Sequence, residues 1–144
     1  RSDGKQSGSV YPVKQFTIPH PIDEKRWLQH ACLEGPTSDV YQRGEIIAEE
    51  NQGFKEIEFP EYWYQLVIPE TITVHLTPEG GPMHVWFRRI DSNVVIHWKK
   101  IERGSYKISY WVVGQRRNVE FDVEPLRSKV LIQSWGPYTW TSKL

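Results

Sequence analysis

HPIDEKRWLQHACLEGPTSDVYQRG, residues 20–44, gathers two of the five histidines, the only cysteine and a glutamate beside a Gly-Pro. These residue types allow two kinds of chemistry. His20, His30 and Glu34 are a legitimate donor set for zinc, since catalytic zinc sites use two histidines and a glutamate. Cys32, with histidines elsewhere in the chain, is the raw material of a thiol nucleophile.

The spacing weighs against both. His30 and Glu34 would share a face only on a helix, and this segment reads as strand and turn. There is no cysteine pair and no HExxH, and His75, His84 and His97 fall on separate stretches. Cys32 sits between Ala31 and Leu33, where a thiol is usually a small buried hydrophobe of low reactivity. Neither a GxSxG elbow nor a GxxxxGK[ST] loop occurs. Glu34, Glu58, Glu61 and Asp91 are available for glycoside hydrolysis, but that reaction needs two acids flanking one cleft. The expectation is therefore no catalytic residue, no metal and no cofactor.

The same residues have plain structural uses. Pro19 and Pro21 hold the chain extended on either side of His20. Leu28 and Cys32 fit core positions. Gly35-Pro36 signals a turn, and Gly44 suits a bulge or a close approach inside the next strand. Glu34 and Arg43 are expected to pair across the turn, clamping two neighbouring strands. His20, Pro21, His30, Glu34, Gly35, Pro36, Tyr41, Arg43 and Gly44 thus read as a fold signature.

The surrounding chain alternates with period two between Gly, Pro, Asn and Asp punctuation, which predicts strands. Predicted strands cover Val10–Ile18, Trp27–Leu33, Val40–Ala48, Phe54–Phe59, Thr71–Pro78, Val85–Ile90, Val94–Trp98, Ser105–Val113, Val119–Val123 and Lys129–Ser134. In TITVHLTP, Ile72, Val74 and Leu76 face one way and His75 the other. Asp91-Ser92-Asn93 reads as a hairpin turn. Pro60 to Leu66 is the one expected helical turn, with Pro60 and Glu61 suited to its start. Many short strands with almost no helical period predict an all-β fold, an antiparallel sandwich or barrel-like domain with at most one short helix.

Composition narrows the partners. Eighteen basic and eighteen acidic residues balance to +0, which gives no electrostatic reason to expect nucleic acid. No stretch has the roughly 18 apolar residues of a membrane span. The organisation expected is a flexible polar lead-in over 1–9, a β domain over 10–124 and a C-terminal extension over 125–144 that packs on the domain or a neighbouring subunit. The start at Arg1 suggests a piece of something longer.

Seven Trp and seven Tyr are an excess. Aromatics with polar edges suit contact surfaces, a glycan among them. Trp111 alternates out of phase with Tyr106, Ile108 and Tyr110, and Trp86 with Val85 and Phe87. One set in each strand must leave the core. Trp86, Trp98 and Trp111, with Arg88, Asp91 and Asn93 near a hairpin loop, are the binding candidates.

Lys14, Phe16, Ile18, His20-Pro21, Leu28, His30, Leu33-Glu34-Gly35-Pro36, Val40-Tyr41 and Arg43-Gly44 form a collinear set. It resembles a module found near the ends of bacteriophage tail-fibre and tail-associated structural proteins, those of cyanophages especially, with similar segments in proteins of large algal viruses. IEFPEYWYQLV (57–67), ITVHLTPEGG (72–81) and SYKISYWVVGQR (105–116) extend the resemblance over roughly residues 14–124. Thr37-Ser38-Asp39 departs from the commoner acidic-plus-glycine run after Gly-Pro, and residues from Pro125 onward are not covered. The resemblance implies a β-rich virion structural module on a tail or capsid surface. Its partners would be other virion proteins and its own copies, as a homotrimer, with host-surface glycan as an attachment target. It carries over no catalytic residues. Two alternatives stand beside it: a carbohydrate-active enzyme acting on host surface polymers, and a capsid-associated minor structural protein.

Overall fold

The computed structural model describes residues 15–132 and 141–143. The lead-in over 1–9, the start of the first predicted strand and most of the aromatic C-terminal stretch lie outside the described residues. The described chain is mostly antiparallel strand with one four-residue α-helix, an all-β, sandwich-like fold. It forms two compact units, one from residues 37–119 and one from the segments on either side.

In the flanking unit, β1 (Gln15–Pro19) and β2 (Trp27–Ala31) pair antiparallel, with Phe16 opposite His30 and Ile18 opposite Leu28. Leu28 is buried and Cys32 half-buried. The connection is built by the His-Pro segment. His20 Nδ1 accepts the backbone N–H of Ile22 at 3.2 Å and of Asp23 at 2.9 Å. Asp23 in turn accepts the Lys25 N–H at 2.9 Å and the Arg26 Nε–H at 3.0 Å. These bonds satisfy turn donors that strand pairing leaves open. The Lys25 N–H, aided by Arg26, holds the Asp23 carboxyl below its ordinary value.

In the central unit, β3 (Asp39–Ala48), β8 (Tyr106–Gln115) and β5 (Thr73–Glu79) form one sheet in that order. β4 (Gln52–Glu56), β7 (Asn93–Lys100) and β6 (Met83–Ile90) form the other. Among the described residues β2 pairs with β1 alone and β3 with β8 alone, so the stretch around Gly35-Pro36 does not close a hairpin. The expectation that Glu34 and Arg43 flank two neighbouring strands is corrected in that β2 and β3 are not paired with each other, Glu34 lying in the flanking unit and Arg43 in the central one.

Alternation decides the faces. Val40, Ile46 and Ala48 of β3, Ile108 and Val112 of β8, and Val94, Ile96 and Trp98 of β7 are buried. The residues of opposite parity, such as Arg43, Glu45 and Trp111, point outward. Gly44 lies in an unbroken register opposite Tyr110, so no bulge forms there. A side chain at Gly44 would run into the Tyr110 ring, so the glycine serves a close approach.

The chain crosses from β4 to β5 through α1 (Trp63–Leu66), whose first N–H bonds the Pro60 carbonyl at 3.0 Å. Trp63, Leu66 and Val67 are buried here, and Phe59 stacks on Trp63 with centroids 4.9 Å apart. Lys100 is also buried. Its ammonium donates to the carbonyls of Glu49, at 3.0 Å, and Gly104, and lies 5.2 Å from the Tyr106 ring centroid. Carbonyl dipoles and a π face together offset the cost of burying that charge. The arrangement ties the β3–β4 turn to the β7–β8 turn.

After Gln115 the predicted strand over Val119–Val123 does not form. Asn118 turns the chain with φ +59°, and Asp122 accepts the Glu124 N–H at 3.0 Å. Phe121 and Val123 are more than half exposed, and among the described residues no strand pairs with this stretch. Local hydrogen bonding wins where alternation finds no partner edge. β9 (Val130–Ile132) and β10 (Thr141–Lys143) pair antiparallel at the C-terminal end.

Candidate functional site

The hairpin between β6 and β7 sets the site's geometry. Its loop is two residues, Asp91-Ser92, so Ile90 pairs with Asn93. Asp91 takes φ +53° at the first loop position, which Asp tolerates better than most residues. That register puts Trp86 opposite His97, and β4 pairing puts Phe54 opposite His97 on its other side. The result is a row of three rings across three strands. Trp86 and His97 stack at 5.4 Å with planes 7° apart, and Phe54 follows at 5.8 Å and 34°. Phe54 is 71% exposed and Trp86 38%.

The row forms one side of an open cleft of about 550 Å³, with Glu50 and Gln52 as its polar lining. Gly53 and Trp98 complete it. A side chain at Gly53 would collide with the Trp98 ring, so this glycine lets the indole lie across β4. Trp98 itself corrects an expectation. It is 5% exposed, on the inner face with Val94 and Ile96, and its indole N–H donates to the Glu50 carbonyl at 2.9 Å. It is core that shows an edge to the cleft.

A second depression of about 510 Å³ shares Glu50 and Trp98 and adds Glu45, Glu49 and Lys55. The three glutamates are exposed.

The outer face of the other sheet carries a second aromatic group. Trp111, 42% exposed, packs edge-on to Tyr41 at 5.7 Å and lies 6.0 Å from His75. Arg43 and His75 flank Trp111 in register on β3 and β5. Further along, Lys107 bridges Glu45 at 2.8 Å and Glu79 at 3.1 Å.

The hydrogen bonds to Glu45 and then Glu79 raise the Lys107 ammonium above its ordinary value of 10.5. A raised folded-state value stabilises fully below the unfolded value and is lost as pH rises through the folded one. Exposure makes the contribution small. Lys107→Met should therefore lower the melting temperature slightly at neutral pH. The gap to wild type should close as pH is carried above the lysine range, measured by thermal unfolding across pH.

The sequence candidates thus separate. Trp86, Arg88 and Asn93 share the outer face of β6–β7 with the cleft. Asp91 is in the turn, where its carbonyl accepts Arg89 Nη1 at 2.6 Å. Trp111 is on the other sheet and Trp98 inside. His20 and His30 have structural engagements, His30 against the Phe16 ring at 5.1 Å. Among the described residues, no group of three His, Cys, Asp or Glu is placed to hold a metal ion, and no helix is long and apolar enough to cross a membrane. His97 and Phe54 complete the ring row and were not singled out by sequence. A two-residue loop at Asp91-Ser92 would have paired His97 with Trp86, whereas Phe54 is brought in by long-range pairing. No family model, curated protein or solved structure matches the chain.

Proposed function

We propose that this protein is a non-enzymatic structural module of a virion appendage, of the tail-fibre type. In this reading it assembles with its own copies as a homotrimer and with other virion proteins, and attaches to host-surface glycan. The observation that carries the attachment reading is the Phe54–His97–Trp86 row, with Phe54 and Trp86 exposed and His97 half-buried, beside an open polar-rimmed cleft. Flat aromatic faces match the C–H faces of pyranose rings, and they contribute rigid apolar area at low entropic cost. Glu50 and Gln52 supply acceptors for the hydroxyls at the ring edges. The resemblance of residues 14–124 to tail-fibre modules supports the viral setting.

Trp86→Ala is the test. On a glycan array the wild-type protein should give discrete hits, and the variant should bind them about 10- to 100-fold more weakly, the range expected for one well-placed aromatic contact. A silent array, or hits indifferent to the substitution, would remove the attachment reading. Sedimentation as a monomer at high concentration would remove the trimer.

The depression lined by Glu45, Glu49 and Glu50 favours one second reading, a carbohydrate-active enzyme. Glycoside hydrolysis requires a carboxylate pair. That reading gains if array ligands are cleaved and Glu50→Gln stops the cleavage. New reducing ends are the measurement.

A further inference from the structure

Resting on the glycan-attachment reading, we infer that the β4–β7–β6 face selects sugars bearing a carboxylate, with Arg88 taking the acid group while the sugar ring packs on Trp86. The charge distribution around the ring row carries this. β6 and β7 together, Met83–Ile90 and Asn93–Lys100, contain four Lys or Arg and no Asp or Glu. Two of those cations are occupied in the fold: Arg89 bonds the Asp91 carbonyl and Lys100 is buried against carbonyls. Arg88 and Lys99 stand exposed on the outward parity of their strands, one on each side of the aromatic row.

Arg88 is two residues beyond Trp86, about 6.7 Å along the strand on the same face. A carboxyl group projecting from a ring stacked on Trp86 reaches that zone. The guanidinium is the side chain that matches it, because its fork binds a carboxylate through two parallel hydrogen bonds. The carboxylates of the face lie at the opposite edge. Glu56 is on β4 and Glu50 lines the cleft beside Gln52. They accept hydroxyl hydrogens and repel a second anion. The face therefore has a direction, with the acid group toward β6 and the neutral hydroxyls toward β4.

The experiment compares uronate- and sialate-bearing oligosaccharides with the same oligosaccharides after carboxyl reduction, by calorimetry on the full chain. Dextran sulfate serves as a charge-only polymer. Wild type should bind the acidic forms about tenfold or more tightly than the reduced ones, the size of one charge-assisted contact. Arg88→Gln should erase that ratio while keeping affinity for the reduced forms, and Trp86→Ala should weaken both. Unchanged thermal unfolding of each variant certifies its fold. Equal affinity for acidic and reduced forms overturns this inference and leaves glycan attachment standing. Binding of neither form overturns both. Binding of dextran sulfate that Trp86→Ala does not alter also overturns the inference, since it reports charge without a sugar site.

Discussion

Trp63→Ala is expected to destabilise the central unit by about 3–5 kcal/mol, the cost of deleting a large aromatic from a packed core. Trp63 is fully buried and stacked on Phe59, in the segment that carries the chain from one sheet to the other. Domains of this size hold only about 5–15 kcal/mol in total, so the variant should unfold at markedly lower denaturant or fail to accumulate. Trp63→Phe is the informative companion. The Trp63 indole N–H is buried with no acceptor among the described residues. Replacing it by an apolar ring removes an unsatisfied donor along with some volume, and these effects oppose each other. The expected loss is about 1–2 kcal/mol from volume, reduced by the relief of the donor. Urea midpoints of both variants check this, and a loss in Trp63→Phe equal to that in Trp63→Ala would refute it.

Which parts of this arrangement were legible in the sequence follows from the range of the interactions that made them. Strand faces were legible where one face is covered: the alternation in TITVHLTP sets Ile72, Val74 and Leu76 on one face and His75 on the other, and in the fold Ile72 is buried, Val74 and Leu76 are half-buried and His75 is exposed. The short helix was legible because Pro60 and Pro69 bracket it with local chemistry. Trp98 was legible too, since it shares parity with Val94 and Ile96, but its residue type drew it among the surface aromatics. Phe54 was not legible as a site residue. Its place beside His97 depends on β4 pairing with β7, and nothing local in QGFKE specifies that neighbour. The strand predicted over Val119–Val123 fails for the converse reason, because alternation states which face a strand would show but not whether an edge is available. Glycines reveal the same limit. Gly44 signalled a bulge or a close approach, yet only the register with β8 decides between them and identifies Tyr110 as the group approached.

Trp98 joins the core to the candidate site, and its substitutions should separate the two. Trp98→Ala removes a buried indole between the sheets and is expected to cost about 3–5 kcal/mol. It also deletes the donor to the Glu50 carbonyl, in the turn whose Glu50 lines the cleft. Trp98→Phe keeps most of the packing and loses that bond. Against Trp63→Phe, which changes the same ring but breaks no hydrogen bond, the excess loss should be about 0.5–1.5 kcal/mol, toward the lower end because water can reach the exposed Glu50. Equal urea midpoints for the two phenylalanine variants would mean that the bond contributes nothing. Binding supplies the second comparison. Trp98 shows the cleft only an edge, so Trp98→Phe should change glycan affinity less than about threefold, whereas Trp86→Ala should weaken it about 10- to 100-fold. If Trp98→Phe instead matched Trp86→Ala in binding while remaining folded, the sugar would be contacting the cleft floor, and the ring row of Phe54, His97 and Trp86 would lose its role as the platform.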